Sequence, residues 1–231
     1  LLTQLHCEQG QEAIFLGGIF AYDLIANYET LPAVAEASND CPDFCFYVAE
    51  TLIQIDHIRK TTQLQAALFG GESGAHELPR LQHRLAALKE YCNHFRPNTL
   101  SKKEALPSQL NVDKSDKAYC ADVEKLKGNI RKGDIFQVVP SRCFSLPCPQ
   151  PLAAYRELKR TNPSPYMFYM NDQDFTLFGA SPESAVKFEH KSRQVEMYPI
   201  AGTRRRGLNA DGSVNLDLDG RLELELRQDA K

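Results

Sequence analysis

Between Gly133 and Gly207 the chain reads GDIFQVVPSR (133–142), NPSPYMFYM (162–170), FTLFGASPES (175–184) and EMYPIAGTRRRG (196–207). Short apolar runs alternate with segments rich in Gly, Pro, Ser and Asn, the pattern of a meander of strands joined by special turns. Strands are predicted at Asp134–Val139, Cys143–Leu146, Tyr166–Met170, Phe175–Ala180, Ser184–Phe188 and Arg193–Tyr198. The connections Asn171–Asp174 and Glu189–Ser192 suit hairpins, so the sheet is expected to be mostly antiparallel. Polar groups fall at strand ends: Gln137, Ser141, Glu183, Thr203 and Arg204 to Arg206. A rigid sheet aims such residues at a ligand.

Helices flank this stretch. Ser115 is a candidate N-cap for a stripe of Tyr119, Val123, Leu126 and Ile130, and Gly133 suits its C-terminal cap. Pro151 opens a short helix to about Arg160, where its missing N–H costs nothing. Leu222 to Lys231 alternates like a strand, but its Leu, Glu and Arg are helix formers and Asp217 and Asp219 favour a helix N-terminus, so a helix is expected. Upstream, Ala13–Tyr22 reads as a strand interrupted by Gly17-Gly18, which implies a bulge or a close backbone approach. Phe44–Ile58 reads as one long strand, turned at Arg59–Thr61 and answered by Gln63–Phe69. Glu77–Phe95 carries Leu78, Leu81, Leu85, Leu88, Cys92 and Phe95 at helical spacing, a packing stripe. Arg96–Lys114 has no periodicity and marks the expected boundary between regions 1–114 and 115–231.

Bulk properties exclude several classes. The 231 residues are 42% hydrophobic and 25% charged, as in an ordinary globule. The net charge of −3 gives no field for nucleic acid or membrane surfaces. No apolar run approaches the ~18 residues of a membrane span. Seven dispersed cysteines, an odd number, read as reduced cytosolic thiols. No His stands at ligand spacing from Cys41/Cys45 or Cys143/Cys148, so zinc is not expected. The chain starts at Leu1 and stops in a charged helix without a terminator, and the expectation is a fragment of a longer protein.

The motifs Ile135-Phe136-Gln137-Val138-Val139-Pro140-Ser141-Arg142, Gly179-Ala180-Ser181-Pro182-Glu183 and Pro199-Ile200-Ala201-Gly202-Thr203-Arg204 occur in that order. Together they strongly resemble the chorismate-utilising enzymes. Asn162-Pro163-Ser164-Pro165-Tyr166-Met167-Phe168 narrows the resemblance to the anthranilate synthase large-subunit family, of enterobacterial type. It covers essentially the whole chain, including Phe15–Leu24 and Cys41–Tyr47.

The resemblance implies an α+β fold of two stacked antiparallel β-sheets with helices outside, here incomplete. It implies a cytoplasmic lyase that converts chorismate and ammonia to anthranilate and pyruvate for tryptophan synthesis. Ammonia would come from a glutamine amidotransferase subunit in a heterotetramer, and Mg2+ would anchor a substrate carboxylate, with its ligands expected beyond Lys231. Gln137 stands where water-using relatives carry a Lys base; ammonia is already a nucleophile and needs none. Ala201 stands where aminodeoxychorismate synthases typically carry Lys. By resemblance, Gly202, Thr203 and Ala201 contact chorismate, while Glu183 orients or protonates the substrate around its ring hydroxyl. Tryptophan, as feedback inhibitor, would meet Pro165, Tyr166 and Met167, with Asn162, Pro163, Phe168 and Cys45 around them. By spacing alone Glu183 is a solvated strand-end acid, residues 162–168 are a rigid loop entering a strand, and the arginine trio is a solvated or anion-facing patch. The rivals are an aminodeoxychorismate synthase and a non-catalytic tryptophan-sensing or partner-docking module.

Overall fold

The computed structural model describes residues 14–32, 41–70, 74–96, 110–200 and 202–228. The chain divides into two compact units, Leu1–Lys102 and Lys103–Lys231. Within both, helices accompany strands whose every ladder is antiparallel, an α+β architecture in which the strands pair two by two.

In the first unit β1 (Leu16–Phe20) pairs with β2 (Phe44–Val48), and β3 (Thr51–Asp56) pairs with β4 (Thr61–Ala66). The expected long strand Phe44–Ile58 is therefore two. The chain changes partners at Ala49-Glu50, where the Ala49 amide donates to Phe15 O at 2.9 Å and the Ala67 amide donates to Glu50 O at 2.8 Å. Gly18 is a close-approach glycine, as expected: a Cβ there would sit 2.2 Å from Cys45 O and 2.6 Å from the Phe46 ring. The β3–β4 turn is built on Asp56, whose carboxylate accepts from the amides of Ile58 and Arg59 at 2.9 and 2.8 Å. Lys60 then closes the turn at φ 55°.

Helix α1 (Gly74–His94) packs on β4, starting three residues earlier than its apolar stripe indicates. Leu81, 3% exposed, is the buried large hydrophobic among the described residues. A polar clasp adds to that contact. Arg80 donates to both oxygens of Glu50, with Nη1 to Oε2 at 3.2 Å, and its Nε reaches Glu77 at 2.5 Å. Arg84 approaches Glu50 at 3.7 Å. The guanidinium of Arg80 holds the Glu50 carboxyl below its ordinary 4.5.

In the second unit α2 (Asp116–Lys132) has the expected caps: Ser115 Oγ accepts from the Ala118 amide, and Gly133 is left-handed at φ 81°. The expected strand Asp134–Val139 does not form. Phe136 is fully exposed and Val139 81% exposed; a β-branched run becomes a strand only beside a partner, and no described strand lies beside this one. Two-residue strands β5 (Asn111–Val112) and β6 (Phe144–Ser145) pair instead. Helix α3 (Pro151–Thr161), with proline in its first turn, packs on the ladder of β7 (Tyr166–Asn171) and β8 (Thr176–Ser181). Tyr155 of α3 meets Tyr169 and Phe178 at ring-centroid distances of 5.4 and 6.0 Å. The β9 (Lys187–Glu189) and β10 (Gln194–Glu196) hairpin is shorter than the predicted Ser184–Phe188 and Arg193–Tyr198. Helix α4 (Leu216–Arg227) confirms helix over strand, with Asn215 as its N-cap.

Two outcomes follow for the first unit. Leu81→Ala should lower its unfolding free energy by about 2–5 kcal/mol, read from urea titrations followed by circular dichroism. Glu50→Gln should lower the melting temperature at neutral pH and low salt. Because the folded carboxyl is depressed, its contribution is complete above the ordinary 4.5 and fades as pH falls through the folded value. The gap between variant and wild type should therefore shrink as pH falls below 4.5 through the depressed folded value, and narrow in high salt; a gap constant across pH would refute the clasp.

Candidate active site

The residues named from sequence fall into three groups. Gln137 is exposed on the irregular segment that follows α2. That segment is anchored at its far end. Tyr119 Oη donates to Pro140 O at 3.2 Å, and Arg142 is wedged over the rings of Tyr119 and Phe144 at 5.4 and 4.7 Å. Arg142 Nη1 also meets Asp116 Oδ1 at 2.5 Å and donates to Lys114 O at 3.4 Å. A guanidinium does this well because its flat faces stack while its edges donate.

The second group forms around the end of β8. Ser181 Oγ accepts from the Glu183 amide at 3.2 Å and donates to Glu183 O at 3.0 Å, a local turn that fixes where the Glu183 side chain starts. Glu183 Oε1 then accepts from the Ile200 amide at 3.2 Å. Two of the three motifs, 179–183 and 199–204, are thus joined by one hydrogen bond. Gly202 and Thr203 lie exposed just beyond it, and Ala201 lies outside the described residues. Gly202 has room for a side chain: a Cβ would meet only Leu226 Cδ1, at 3.6 Å. The folded chain's own described packing therefore does not require glycine there, whereas close approach by a ligand would.

Gly207 closes the segment. It is buried, and its amide donates to Asp219 Oδ1 at 2.8 Å while its carbonyl accepts from the Asn215 amide at 2.8 Å. Arg206 Nη2 pairs with Asp219 Oδ2 at 2.8 Å, and Arg204 Nη1 donates to Thr203 O at 3.1 Å. Two members of the arginine trio are thus engaged within the protein.

The third group is the loop 162–168. Asn162 ends α3, its amide donating to Leu158 O at 2.8 Å, and Pro163 and Pro165 are exposed. The ladder then splits the aromatic and thioether residues, because alternate residues face opposite sides. Met167, opposite Ala180, shares a face with Tyr169, whose ring packs with Tyr155 of α3. Tyr166, opposite Ser181, and Phe168, opposite Gly179, share the other face, 46% and 44% exposed. A Cβ on Gly179 would lie 2.7 Å from the Phe168 ring. Beside this face, Tyr198 Oη donates to Glu196 Oε2 at 2.9 Å, and Lys187 Nζ reaches the same oxygen at 3.2 Å. Donation to that carboxylate raises the Tyr198 phenol above its ordinary value, with Tyr166 adding a smaller push the same way. Cys45 is half-buried on β2 opposite Ile19, in the first unit.

Sequence reasoning missed Ser181, Tyr198 and the second role of Asp219. The signal for Ser181 was present: a Ser two residues before a polar strand-end residue is a turn former. Asp219 was legible only as an acid in a helix first turn. Among the described residues no three His, Cys, Asp or Glu side chains converge in a way that could hold a metal ion. Cys45, Cys92, Cys120, Cys143 and Cys148 are free thiols, and no described helix is long and apolar enough to cross a membrane.

Known proteins resemble this chain along nearly its whole length. The family model for chorismate binding enzymes matches residues 2–231. The chain is 56% identical over 221 residues to anthranilate synthase component 1 of Serratia marcescens, covering 96% of this chain and 42% of that protein. It is 53% identical over 224 residues to the Escherichia coli K12 protein of the same name, covering 97% and 42%. The crystal structure of anthranilate synthase component I from Streptococcus pneumoniae superposes with a TM-score of 0.64 at 27% identity, over 81% of this chain and 42% of that one. The chain thus spans less than half the length of the relatives it matches. It belongs to the family of chorismate binding enzymes.

Proposed function

We propose that this chain is part of an anthranilate synthase large subunit, a cytoplasmic lyase acting on chorismate. The observation that supports this reading is the Glu183–Ile200 hydrogen bond, which joins the segments 179–183 and 199–204. In the proposed reaction chorismate and ammonia give anthranilate, pyruvate and water. Gly202 offers bare backbone to the substrate and Thr203 a hydroxyl. Glu183 would orient or protonate the ring hydroxyl that departs as water, since hydroxide is a poor leaving group. Gln137 is neutral and donates no proton, which suits ammonia as the nucleophile. Ala201, by its side chain, offers the substrate no reactive group.

No group of three described His, Cys, Asp or Glu side chains could hold Mg2+ together, and no step here is assigned to the metal. Ammonia would be delivered by a glutamine amidotransferase subunit in a heterotetramer. The effector reading places tryptophan at the N-terminal end of the β7–β8 ladder, against Pro165, Tyr166 and Phe168, with Asn162 and Pro163 shaping the loop. Met167 contributes from the opposite face, and Cys45 is the outlying candidate.

The test uses the full-length protein with chorismate, Mg2+ and ammonium, read by anthranilate fluorescence and chromatography. Anthranilate with stoichiometric pyruvate is expected. An aminodeoxychorismate product without pyruvate would assign it to the sister enzyme, and tryptophan binding without chorismate binding would make it a sensor. Tyr166→Ala should raise the tryptophan concentration for half-inhibition by about tenfold or more, leaving uninhibited kcat within about threefold.

A further inference from the structure

We propose that Glu183 and Asp219 are the positioning residues of the substrate segment, each holding one end of residues 200–207 by a backbone amide. The inference rests on the reading of Gly202 and Thr203 as substrate contacts and adds Asp219, which that reading leaves without a role. Residues 202–206 have no regular secondary structure, so no ladder sets their position. Amides in such a segment need other acceptors, and a carboxylate is the strongest a side chain offers. At one end Glu183 Oε1 takes the Ile200 amide at 3.2 Å. At the other, Asp219 Oδ1 takes the Gly207 amide at 2.8 Å.

Both acceptors are tied to regular structure. Glu183 is set by the Ser181 turn at the end of β8, and Asp219 sits in the first turn of α4, 22% exposed. The Gly207 end admits no slack. A Cβ there would lie 2.3 Å from Asp219 N and 2.7 Å from Leu218 C, backbone atoms of a helix that cannot turn aside. With both ends held, Gly202 and Thr203 are presented between two supports. Thr203 itself is not pulled away from solvent, since the hydrogen bond found there uses its carbonyl, which accepts from Arg204.

The test uses the full-length protein and residue-resolved amide hydrogen exchange beside steady-state kinetics. In the wild type, the Ile200 and Gly207 amides should exchange at least about tenfold more slowly than an unstructured peptide. Asp219→Ala should abolish that protection at Gly207 and raise KM for chorismate about tenfold, with a smaller change in kcat. Asp219→Asn keeps an amide acceptor and should restore both readouts to within about threefold of wild type. Glu183→Gln likewise keeps Ile200 protected and KM low even where kcat falls, whereas Glu183→Ala loses both. Unprotected Ile200 and Gly207 amides in the wild type, or Asp219→Asn as damaging as Asp219→Ala, would overturn the proposal. A wild type that shows this protection but makes no anthranilate would instead sink the functional reading and leave the two tethers standing.

Discussion

The register of the β7–β8 ladder, Tyr166 opposite Ser181, is the constraint on which the second unit depends. Two packing features lock it. Phe168 lies over Gly179, where any side chain would collide with its ring, and Tyr169 stacks beside Phe178 under Tyr155 of α3. A slip by one residue would turn Tyr169 out of the α3 contact and press Phe168 against a residue with a Cβ. With that register set, the loop before β7 and the turn after β8 emerge at the same end of one ladder. Two motifs that are well separated in sequence thereby become neighbours.

From that end a series of hydrogen bonds leads on. Ser181 fixes Glu183, Glu183 holds the Ile200 amide, and the segment runs on to Gly207 at the first turn of α4. On the proposed assignments, an effector seated at Pro165 and Tyr166 would touch the strand whose partner carries the catalytic acid. The route needs no long pathway. A ligand that altered the pairing of Tyr166 with Ser181 would act on the turn that aims Glu183 and, through it, on Gly202 and Thr203. Contiguity alone does not make a switch. Inhibition further requires that tryptophan favour one of two arrangements of this ladder end over the other.

What was legible in the sequence was local. Ser115, Gly133 and Pro151 mark helix ends by chemistry within a few residues, and Gly17-Gly18 announced a close approach. What was not legible depended on partners far along the chain. Phe44–Ile58 has the composition of one strand, but its two halves find different partners, and no feature at Ala49-Glu50 reports that. Ile135–Val139 has strand composition but pairs with no described strand. The candidate site divides the same way. Its residue types were readable as motifs, because they resemble a known family, while their geometry was not. The hydrogen bond from Ile200 to Glu183 spans 17 positions and leaves no periodic trace. Asp219 was read for the field of its own helix, an account that holds but omits the amide and the arginine it also binds.

The balance of forces in these units explains why such polar contacts matter here. Two-stranded ladders are marginal on their own, and among the described residues one large hydrophobic side chain, Leu81, is buried. Side chains such as Phe20, Ile55, Phe44 and Val195 remain more than half exposed. Where apolar burial is thin, direction has to come from contacts that are specific in geometry, and the Arg142 wedge, the Glu50 clasp and the two carboxylate tethers are of that kind. Each joins an irregular segment or a strand end to a helix or a ladder. Exposed apolar side chains in such number are of the kind that interaction faces bury. Covering those faces would add burial energy without needing to re-aim the segment at 200–207, because both its anchors already lie within this chain.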